Sequence, residues 1–400
     1  FDKTLMRNKL AMDLGKELGG VATPEEHYAD LYLNGKLMGT FLISEPAENG
    51  RSGVNYNEED DQEMLFEWEA DRVEDEVVYH TTELGARFAT EDFDASNTTK
   101  YNNWVNTLST FENALKQTTS DKVFDYIDVD SFVDMYIVNE LFRTVDFGYS
   151  SVKFYIKKDA NGNPIIHAGP LWDFDLSSGN SSVEDCRRTD TFRGQEVNTW
   201  FGHLMRNNTF KNKVIAKYKA MQPKIQNIYK ENDLGISQID KNLAYMGKSK
   251  DRNYSPISEG GAGWSESQPD SAEYNYYPYG YNTLSPYINY TYEQHIDYLE
   301  NWLKERNQWL CSQWGIDYDE AGKVQPTSSD VALTGYQMTS TLNGIDGNMG
   351  MRVVYQVEPT VNGQEVTEKG LVYGLAYGNN PVTESDIVYD SSSQYVKKYA

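Results

Sequence analysis

The feature that most constrains the fold is a succession of helix and strand signals in the middle of the chain. Residues 128–143 (DVDSFVDMYIVNELFR) carry apolar side chains at helical spacing, with Asp130 or Ser131 placed to cap the helix, and they end just before Asp146. Two strand-like runs follow, separated by an Asn-Gly-Asn turn, and they lead to an Asp-Phe-Asp tripeptide at 173–175. This order predicts a mixed α/β domain with one acid after a helix and another on a following strand.

The flanking sequence continues the mixture of helices and strands. A hairpin is predicted around Asn34-Gly35, because both residues tolerate the positive φ angles that a two-residue hairpin turn requires. Short strands are predicted between 64 and 93, whereas the Gly- and Tyr-rich stretch 251–290 is typical of a long ordered loop. Helical spacing recurs in three further places: 4–18, 198–222 and 291–314.

The spacing of apolar residues changes after about residue 323. Strand-like alternation replaces helical spacing there, and a second Asn-Gly pair occurs at 362–363. The chain has 400 residues, enough for two or three domains of ordinary size. We therefore expect a first domain over 1–322 and a small all-β, sandwich-like domain over 323–400, cut short at its end.

Composition narrows the classes of partner. The chain has 61 acidic and 36 basic residues, a formal charge of −25, so a nucleic acid would meet net repulsion. Aromatic residues make up 13% of the chain and supply the buried surface that disordered chains lack. No apolar run of 18 residues occurs, so no membrane span is predicted. Two cysteines, Cys186 and Cys311, are too few for a disulfide framework and are expected to be free thiols.

Several classes of catalytic motif are missing from the sequence. It has no G-x-S-x-G, H-E-x-x-H, P-loop or dinucleotide-binding signature. The acidic run 57–63 lacks the ligand spacing of a calcium loop and is interpreted as a solvated loop. Glycoside hydrolysis needs only two carboxylates at suitable separation, so it stays open.

The order of elements matches the lower part of a protein kinase. There, an acid after a helix positions the acceptor hydroxyl, and a second acid on a following strand holds the metal against the phosphates. Asp146 and Asp173 take these two places. Phosphoryl transfer depends mostly on positioning the reactants and neutralising their charge. Two carboxylates, one facing the nucleophile and one facing the metal, are the minimum that the protein must supply.

At this point a specific resemblance emerges. The sequence over about 1–315 is similar to the spore-coat protein H (CotH) kinase family, whose members have an atypical protein-kinase fold, and the segment around WDFDLSSGN is the most diagnostic. The segments that carry the resemblance are DKTLMRNKLAMDLGKELG, LYLNGKLMGTFLISE, LFEWEADRVEDEVVYHTT, DSFVDMYIVNELFRTVD, HAGPLWDFDLSSGN, TWFGHLMRNNTF and HIDYLENWLKERNQWL. It implies transfer of the ATP γ-phosphate to Ser or Thr of a partner protein, with Mg²⁺ or Mn²⁺.

The resemblance assigns roles to individual residues. Asp146 resembles the family's catalytic acid, Asp173 its second catalytic and metal-holding acid, and Asp175 a residue that shares the metal. Glu45 ends the strand that leads to the adenine-facing connector, and Arg7 stands where it faces the phosphates or braces the first helix.

Two positions depart from the family pattern. The strands that in the family precede the first helix and carry a nucleotide-facing lysine have no counterpart in this sequence. Ser150, Ser151 and Lys153 occupy the region where some members have a metal-binding Asn.

The alternative hypothesis is a catalytically inactive, kinase-like scaffold or an extracellular module that binds a glycan or a protein. The Tyr-rich stretch 274–290 fits such a binding role or a loop stabilised by its own aromatic rings. We expect Trp172 to lie in the core and His167 to be an ordinary strand residue. The resemblance implies a secreted or cell-surface bacterial protein, spore-coat proteins included, and the acidic charge favours a basic acceptor protein.

Overall fold

The computed structural model describes residues 2–181, 187–195, 200–231, 236–265 and 290–318, and the backbone of strands between 331 and 365. The chain divides into two compact units. The first comprises Phe1–Tyr229 and Gln238–Gly322, and the second comprises Lys230–Ser237 and Lys323–Ala400. The first unit is a mixed α/β structure whose sheets are antiparallel.

The first unit begins with a helix and a hairpin, both as predicted. Helix α1 (Arg7–Leu18) ends at Gly19, whose φ of 81° allows the left-handed cap that stops the helix. Strands β1 (Glu26–Leu33) and β2 (Lys36–Ser44) pair antiparallel across Asn34-Gly35. Both turn residues have positive φ, 49° and 77°, as a type I′ turn requires.

A five-stranded sheet forms the centre of this unit, in the order β4-β5-β3-β6-β7. Its strands are β3 (Met64–Glu69), β4 (Val78–Thr81), β5 (Arg87–Thr90), β6 (Ser150–Lys158) and β7 (Pro164–Ala168). Because side chains alternate along a strand, Phe66 and Phe154 face the core, where they pack on Trp200, while Glu67 and Lys153 face the other way. The sheet therefore has an aromatic face and a charged face.

Helices complete the unit, and Trp104, Phe132 and Trp200 from three of them pack on the aromatic face. They are α2 (Thr98–Leu115), α3 (Val129–Phe142), α4 (Trp200–Leu204), α5 (Asn208–Ala220), α6 (Gln222–Gln226), α7 (Gln238–Met246), α8 (Lys248–Tyr254) and α9 (Tyr292–Trp314). The sequence did not predict α2, and α8 overlaps the start of the stretch 251–290 that was predicted as a loop. Most of that stretch, 266–289, lies outside the described residues.

Helix α3 is the buried axis of the unit and every residue from Ser131 to Phe142 is buried. Its cap is Asp128, whose side chain accepts a hydrogen bond from the Ser131 N–H at 2.8 Å, so the predicted cap at Asp130 or Ser131 was wrong. The helix ends at Arg143, which adopts a left-handed φ of 49°. This abrupt end turns the chain towards Asp146.

In the second unit, strands β8 (Val331–Leu342) and β9 (Ile345–Val357) form one antiparallel pair, and β10 (Thr360–Val361) and β11 (Gln364–Glu365) form another. A sandwich is not defined by these strands, so it stays a prediction. In the described part of the chain, no helix combines the length and apolar composition that a bilayer crossing requires. Cys311 is a buried free thiol, and Cys186 lies outside the described residues.

Candidate active site

Two loops meet at the end of α3, and main-chain hydrogen bonds join them. The Val145 N–H donates to the carbonyl of Leu176 at 3.0 Å, and the Ser178 N–H donates to the carbonyl of Phe142 at 2.6 Å. One loop carries Asp146, and the other carries the Asp-Phe-Asp tripeptide. The tripeptide lies in this loop beyond β7, so the prediction that it is on a strand was wrong.

Helix α1 holds the tripeptide loop from the other side. The side-chain oxygen of Asn8 accepts a hydrogen bond from the Phe174 N–H at 2.6 Å. The Arg7 guanidinium donates from Nε to the carbonyl of Ser177 at 3.0 Å and also contacts Asp2 at 2.5 Å. Arg7 is only 3% exposed, so these contacts brace the loop against the helix. Of the two readings of Arg7 that the sequence left open, its contacts correspond to the bracing one.

Asp146 is half-buried in the turn that follows α3. Burial raises the pKa of Asp146 to about 6, and the negative charge of Asp175 acts in the same direction. A hydrogen bond from the Ser150 hydroxyl and the positive charge of Arg193 oppose this rise. The carboxyl group is therefore largely ionised at neutral pH, yet its pKa lies close enough to that pH for it to accept a proton efficiently as a general base.

The two acids of the tripeptide are coupled to each other. Burial raises the pKa values of Asp173 and Asp175, and a hydrogen bond joins the two carboxyl groups. Such a bond needs a proton on one of the two, because an ionised carboxylate can accept a hydrogen bond but cannot donate one. Asp173 also accepts a hydrogen bond from the Ser151 hydroxyl and has a φ of 59°, in the left-handed region that non-glycine residues rarely adopt. Strain of this kind is found most often at functional sites.

A cleft of about 330 Å³ lies on the charged face of the sheet, and Asp173 forms part of its wall. Its ionisable lining comprises four acids and two bases: Glu67, Glu69, Glu91, Asp173, Arg72 and Lys153. The Lys153 ammonium contacts the Glu67 carboxylate at 2.8 Å and lies 5.9 Å from the centre of the Trp172 ring. Trp172 is 38% exposed and lines the cleft, so the prediction that it is a core residue was wrong.

Glu45 lies at the edge of this cleft. Its backbone N–H donates to the carbonyl of Glu25 at 3.0 Å, and its carboxylate accepts from the Glu25 N–H at 3.1 Å. The next two residues, Pro46 and Ala47, line the cleft. His167 is half-buried on β7, where it stacks on the Tyr155 ring at 4.7 Å, outside the cleft lining.

The donor set of the site suits a hard divalent cation. Asp173 and Asp175 offer carboxylate oxygens and Ser151 offers a hydroxyl, which are the oxygen ligands that Mg²⁺ and Mn²⁺ prefer. A cation at this point would relieve the repulsion that now keeps a proton between the two acids. Among the described residues no three His, Cys, Asp or Glu side chains form a ready metal site, so a bound cation would need further ligands such as water.

Comparison with known proteins decides the family. A family model described as CotH kinase protein matches residues 1–310. The chain belongs to the CotH kinase family. The match includes α1, the charged face of the sheet, both acid-bearing loops and most of α9. No curated protein matches the chain.

Within this CotH kinase domain, the sequence analysis identified the acidic residues of the site but not the residues that hold them and the cleft in place. Asn8 stands next to Arg7 in the first helix, yet its contact with Phe174 spans 166 residues. The pairing of Lys153 with Glu67 depends on β6 lying beside β3. The only local signal for that pairing is the alternation of charged and apolar residues along each strand.

Proposed function

We propose that this chain transfers the γ-phosphate of ATP to a Ser or Thr hydroxyl of a partner protein, with Mg²⁺ or Mn²⁺. The observation that carries the proposal is the meeting of two acid-bearing loops beside one cleft. Main-chain bonds join the Asp146 turn to the Asp173 loop, and the charges of these two acids influence each other. This is the pair of carboxylates that phosphoryl transfer requires.

Asp146 would orient the acceptor hydroxyl and receive its proton. A base with a pKa of about 6 is largely ionised at pH 7 and still accepts a proton as the hydroxyl attacks phosphorus. The Ser150 hydroxyl that now donates to Asp146 marks where an acceptor hydroxyl would bind.

Asp173 and Asp175 would hold the divalent cation. A cation bound there would supply positive charge to neutralise the ATP phosphates. Binding would release the proton that the two acids share, so affinity for the metal should rise with pH.

The cleft would hold the nucleotide. Lys153 supplies a positive charge for the phosphates, and the exposed ring of Trp172 offers a flat surface for a base. Residues 45–47 place main-chain groups at the cleft edge, which fits the adenine-facing role expected for the region of Glu45. We assign Arg7 to bracing the tripeptide loop instead of contacting phosphate, because its guanidinium is buried against Ser177.

The acceptor would be a basic protein. The whole chain carries a charge of −25. Lys or Arg residues flanking the acceptor Ser would meet a complementary charge on such a protein. The resemblance to the spore-coat protein H family makes a secreted, cell-surface or spore-coat location part of this proposal.

The first test is whether Mg²⁺-ADP raises the melting temperature of the 400-residue chain. A ligand at 100 times its Kd should stabilise the fold by about 2.7 kcal/mol. Asp173→Asn should abolish this shift, whereas Asp61→Asn, at an exposed loop acid, should keep it. In the same preparations, radiolabelled ATP should label Lys/Arg-flanked Ser peptides in preference to acidic ones.

Three results would count against the proposal. No shift and no labelling in the unaltered chain would favour the inactive scaffold. A shift without labelling would indicate a nucleotide-binding module. Labelling that persists in Asp173→Asn would remove that residue from the site.

A further inference from the structure

The segment 187–195 reaches the turn that carries Asp146. Arg193 donates a hydrogen bond from its guanidinium to the carbonyl oxygen of Val145, the residue directly before Asp146. The positive charge of Arg193 lowers the pKa of Asp146 against the effect of burial, so the two charges are near each other. The Arg193 Nε is buried and has no hydrogen-bond partner among the described residues.

A buried carboxylate fixes the backbone on both sides of this arginine. The Arg193 N–H donates to Glu140 Oε1 at 2.5 Å, and the Gly194 N–H donates to Glu140 Oε2 at 2.8 Å. Glu140 belongs to α3 and is fully buried. Both of its carboxylate oxygens therefore hold the segment against the helix that ends next to Asp146.

Arg306 completes the support from α9. Its Nη2 contacts Glu140 Oε1 at 2.6 Å with both side chains at 0% exposure, and its Nη1 donates to the carbonyls of Thr189 and Thr191 at 3.0 and 2.6 Å. A buried ion pair in which each charge makes further hydrogen bonds is held in one geometry. Three parts of the chain, α3, α9 and the segment 187–195, are thereby fixed relative to one another.

Glycine at position 194 lets the segment 187–195 lie close to the rings of Phe147 and Tyr136. A Cβ atom there would lie 2.7 Å from the rings of both Phe147 and Tyr136, closer than real Cβ atoms come to their neighbours. Phe147 directly follows Asp146 and is buried. The segment 187–195 therefore packs against Phe147, which follows Asp146, and Arg193 hydrogen-bonds to Val145, which precedes it.

We propose that Arg193 is a positioning residue for Asp146, and that the buried Glu140–Arg306 pair holds Arg193 in place. The effect of Arg193 on catalysis rests on the proposed phosphoryl transfer. Its role in holding the turn does not depend on that function. The guanidinium fixes the turn through Val145 and keeps the carboxylate ionised through its charge. Displacement of the segment 187–195 would then disable Asp146 as a base and leave the nucleotide cleft unchanged.

Hydrogen exchange tests the structural half without any need for activity. The amides of Tyr149 and Ser150 both donate to the carbonyl of Asp146 and report directly on the turn. Loss of a hydrogen bond to a charged group, worth about 1.5–3 kcal/mol, should speed their exchange in Arg193→Met about tenfold or more. Arg188→Met, at an exposed arginine of the same segment, should leave it unchanged. Unchanged exchange in Arg193→Met would overturn the proposal.

Transfer kinetics to a Lys/Arg-flanked Ser peptide test the catalytic half. Arg193→Met should lower kcat about tenfold while the KM for Mg²⁺-ATP stays within about twofold, because the hydrogen bond holds the base and not the nucleotide. The charged groups that face Asp146 are Asp173, Asp175, Glu69 and Arg193. Without Arg193 the three acids lose the positive charge that opposes them, so the acid limb of the pH profile should move to higher pH.

Arg193→Lys separates charge from hydrogen-bond geometry. It retains the positive charge, so its acid limb should stay near that of the unaltered chain while kcat recovers only in part. An acid limb at the same pH in Arg193→Met as in the unaltered chain would overturn the proposal. If the unaltered chain transfers no phosphate, the proposed function fails, while the exchange experiment still decides whether Arg193 holds the turn.

Discussion

Glu67 and Lys153 stand directly opposite each other on adjacent strands, and their side chains meet at 2.8 Å on the charged face of the sheet. Both side chains line the cleft that Asp173 also lines, with exposures of 15% and 17%. The Lys153 ammonium is thus held in one position before a ligand binds, which reduces the entropic cost of binding a polyphosphate.

Replacement of Lys153 by Met should weaken binding of Mg²⁺-ADP. A charge-assisted hydrogen bond contributes about 1.5–3 kcal/mol, so the Kd should rise about tenfold or more. Lys157→Met is the matched control, because Lys157 lies on the same face of the same strand and outside the cleft lining. Titration calorimetry measures both, and equal Kd values for the two variants would refute a phosphate-binding role for Lys153.

Replacement of Glu26 by Gln should make the stability of the fold less sensitive to a rise in pH from acidic to neutral. Glu26 is 4% exposed at the junction of α1 and β1, and burial raises its pKa from 4.5 to about 7. Because the folded chain holds this proton more tightly than the unfolded chain, stability falls as pH rises from about 4.5 to 7, by about 3 kcal/mol.

Urea unfolding at pH 5 and pH 8 measures this effect as a difference between variants. Glu26→Gln should lose less stability between the two pH values than the unaltered chain. Glu25→Gln, at the exposed neighbour, should not share that gain. Parallel pH dependence in all three chains would show that Glu26 does not titrate in the folded state.

Replacement of Asn8 by Ala should loosen the tripeptide loop. The Phe174 N–H would lose its acceptor inside the protein, at a cost of about 1–3 kcal/mol. The stabilising effect of Mg²⁺-ADP should decrease as well, since Asp173 and Asp175 flank Phe174. Asn102→Ala on the exposed side of α2 is the control for a change of asparagine. If thermal unfolding with and without Mg²⁺-ADP matched that control, Asn8 would have no part in holding the loop.

Removal of one partner from the Glu140–Arg306 pair should be among the most damaging changes to this domain. Arg306→Met leaves a fully buried carboxylate without its counter-ion, which costs about 3–5 kcal/mol. The double variant with Glu140→Gln should regain part of that loss, because no net charge stays buried. Denaturant unfolding of the single and double variants measures the coupling, and simple additivity of their effects would contradict it.

The elements that the sequence predicted well are those whose signals are local. The Asn34-Gly35 turn requires positive φ at two adjacent residues, and the apolar spacing of α3 is complete within 14 residues. The cap of α3 was misplaced because the sequence DVDS offers several capping side chains, of which Asp128 is used. Helix α2 escaped prediction because Asn and Thr, which are weak helix formers, interrupt its apolar positions.

The supports of the site could not be predicted, because each joins residues that are distant in sequence. Lys153 lies opposite Glu67 only because β6 inserts beside β3 after more than 80 residues of intervening chain. Arg193 reaches Val145 from 48 residues away, and no spacing rule connects them. Trp172 was predicted as core because large aromatic rings are usually buried, whereas here the ring forms a wall of the cleft.

The hydrogen bonds between the Asp146 turn and the tripeptide loop, from Val145 to Leu176 and from Ser178 to Phe142, use main-chain atoms alone. Any residue except proline can supply a main-chain N–H group, and every residue supplies a carbonyl. The spacing of the two acids is therefore independent of which side chains occupy positions 145 and 176. A laboratory library that varies these two positions among residues other than proline would leave the spacing of the two acids intact.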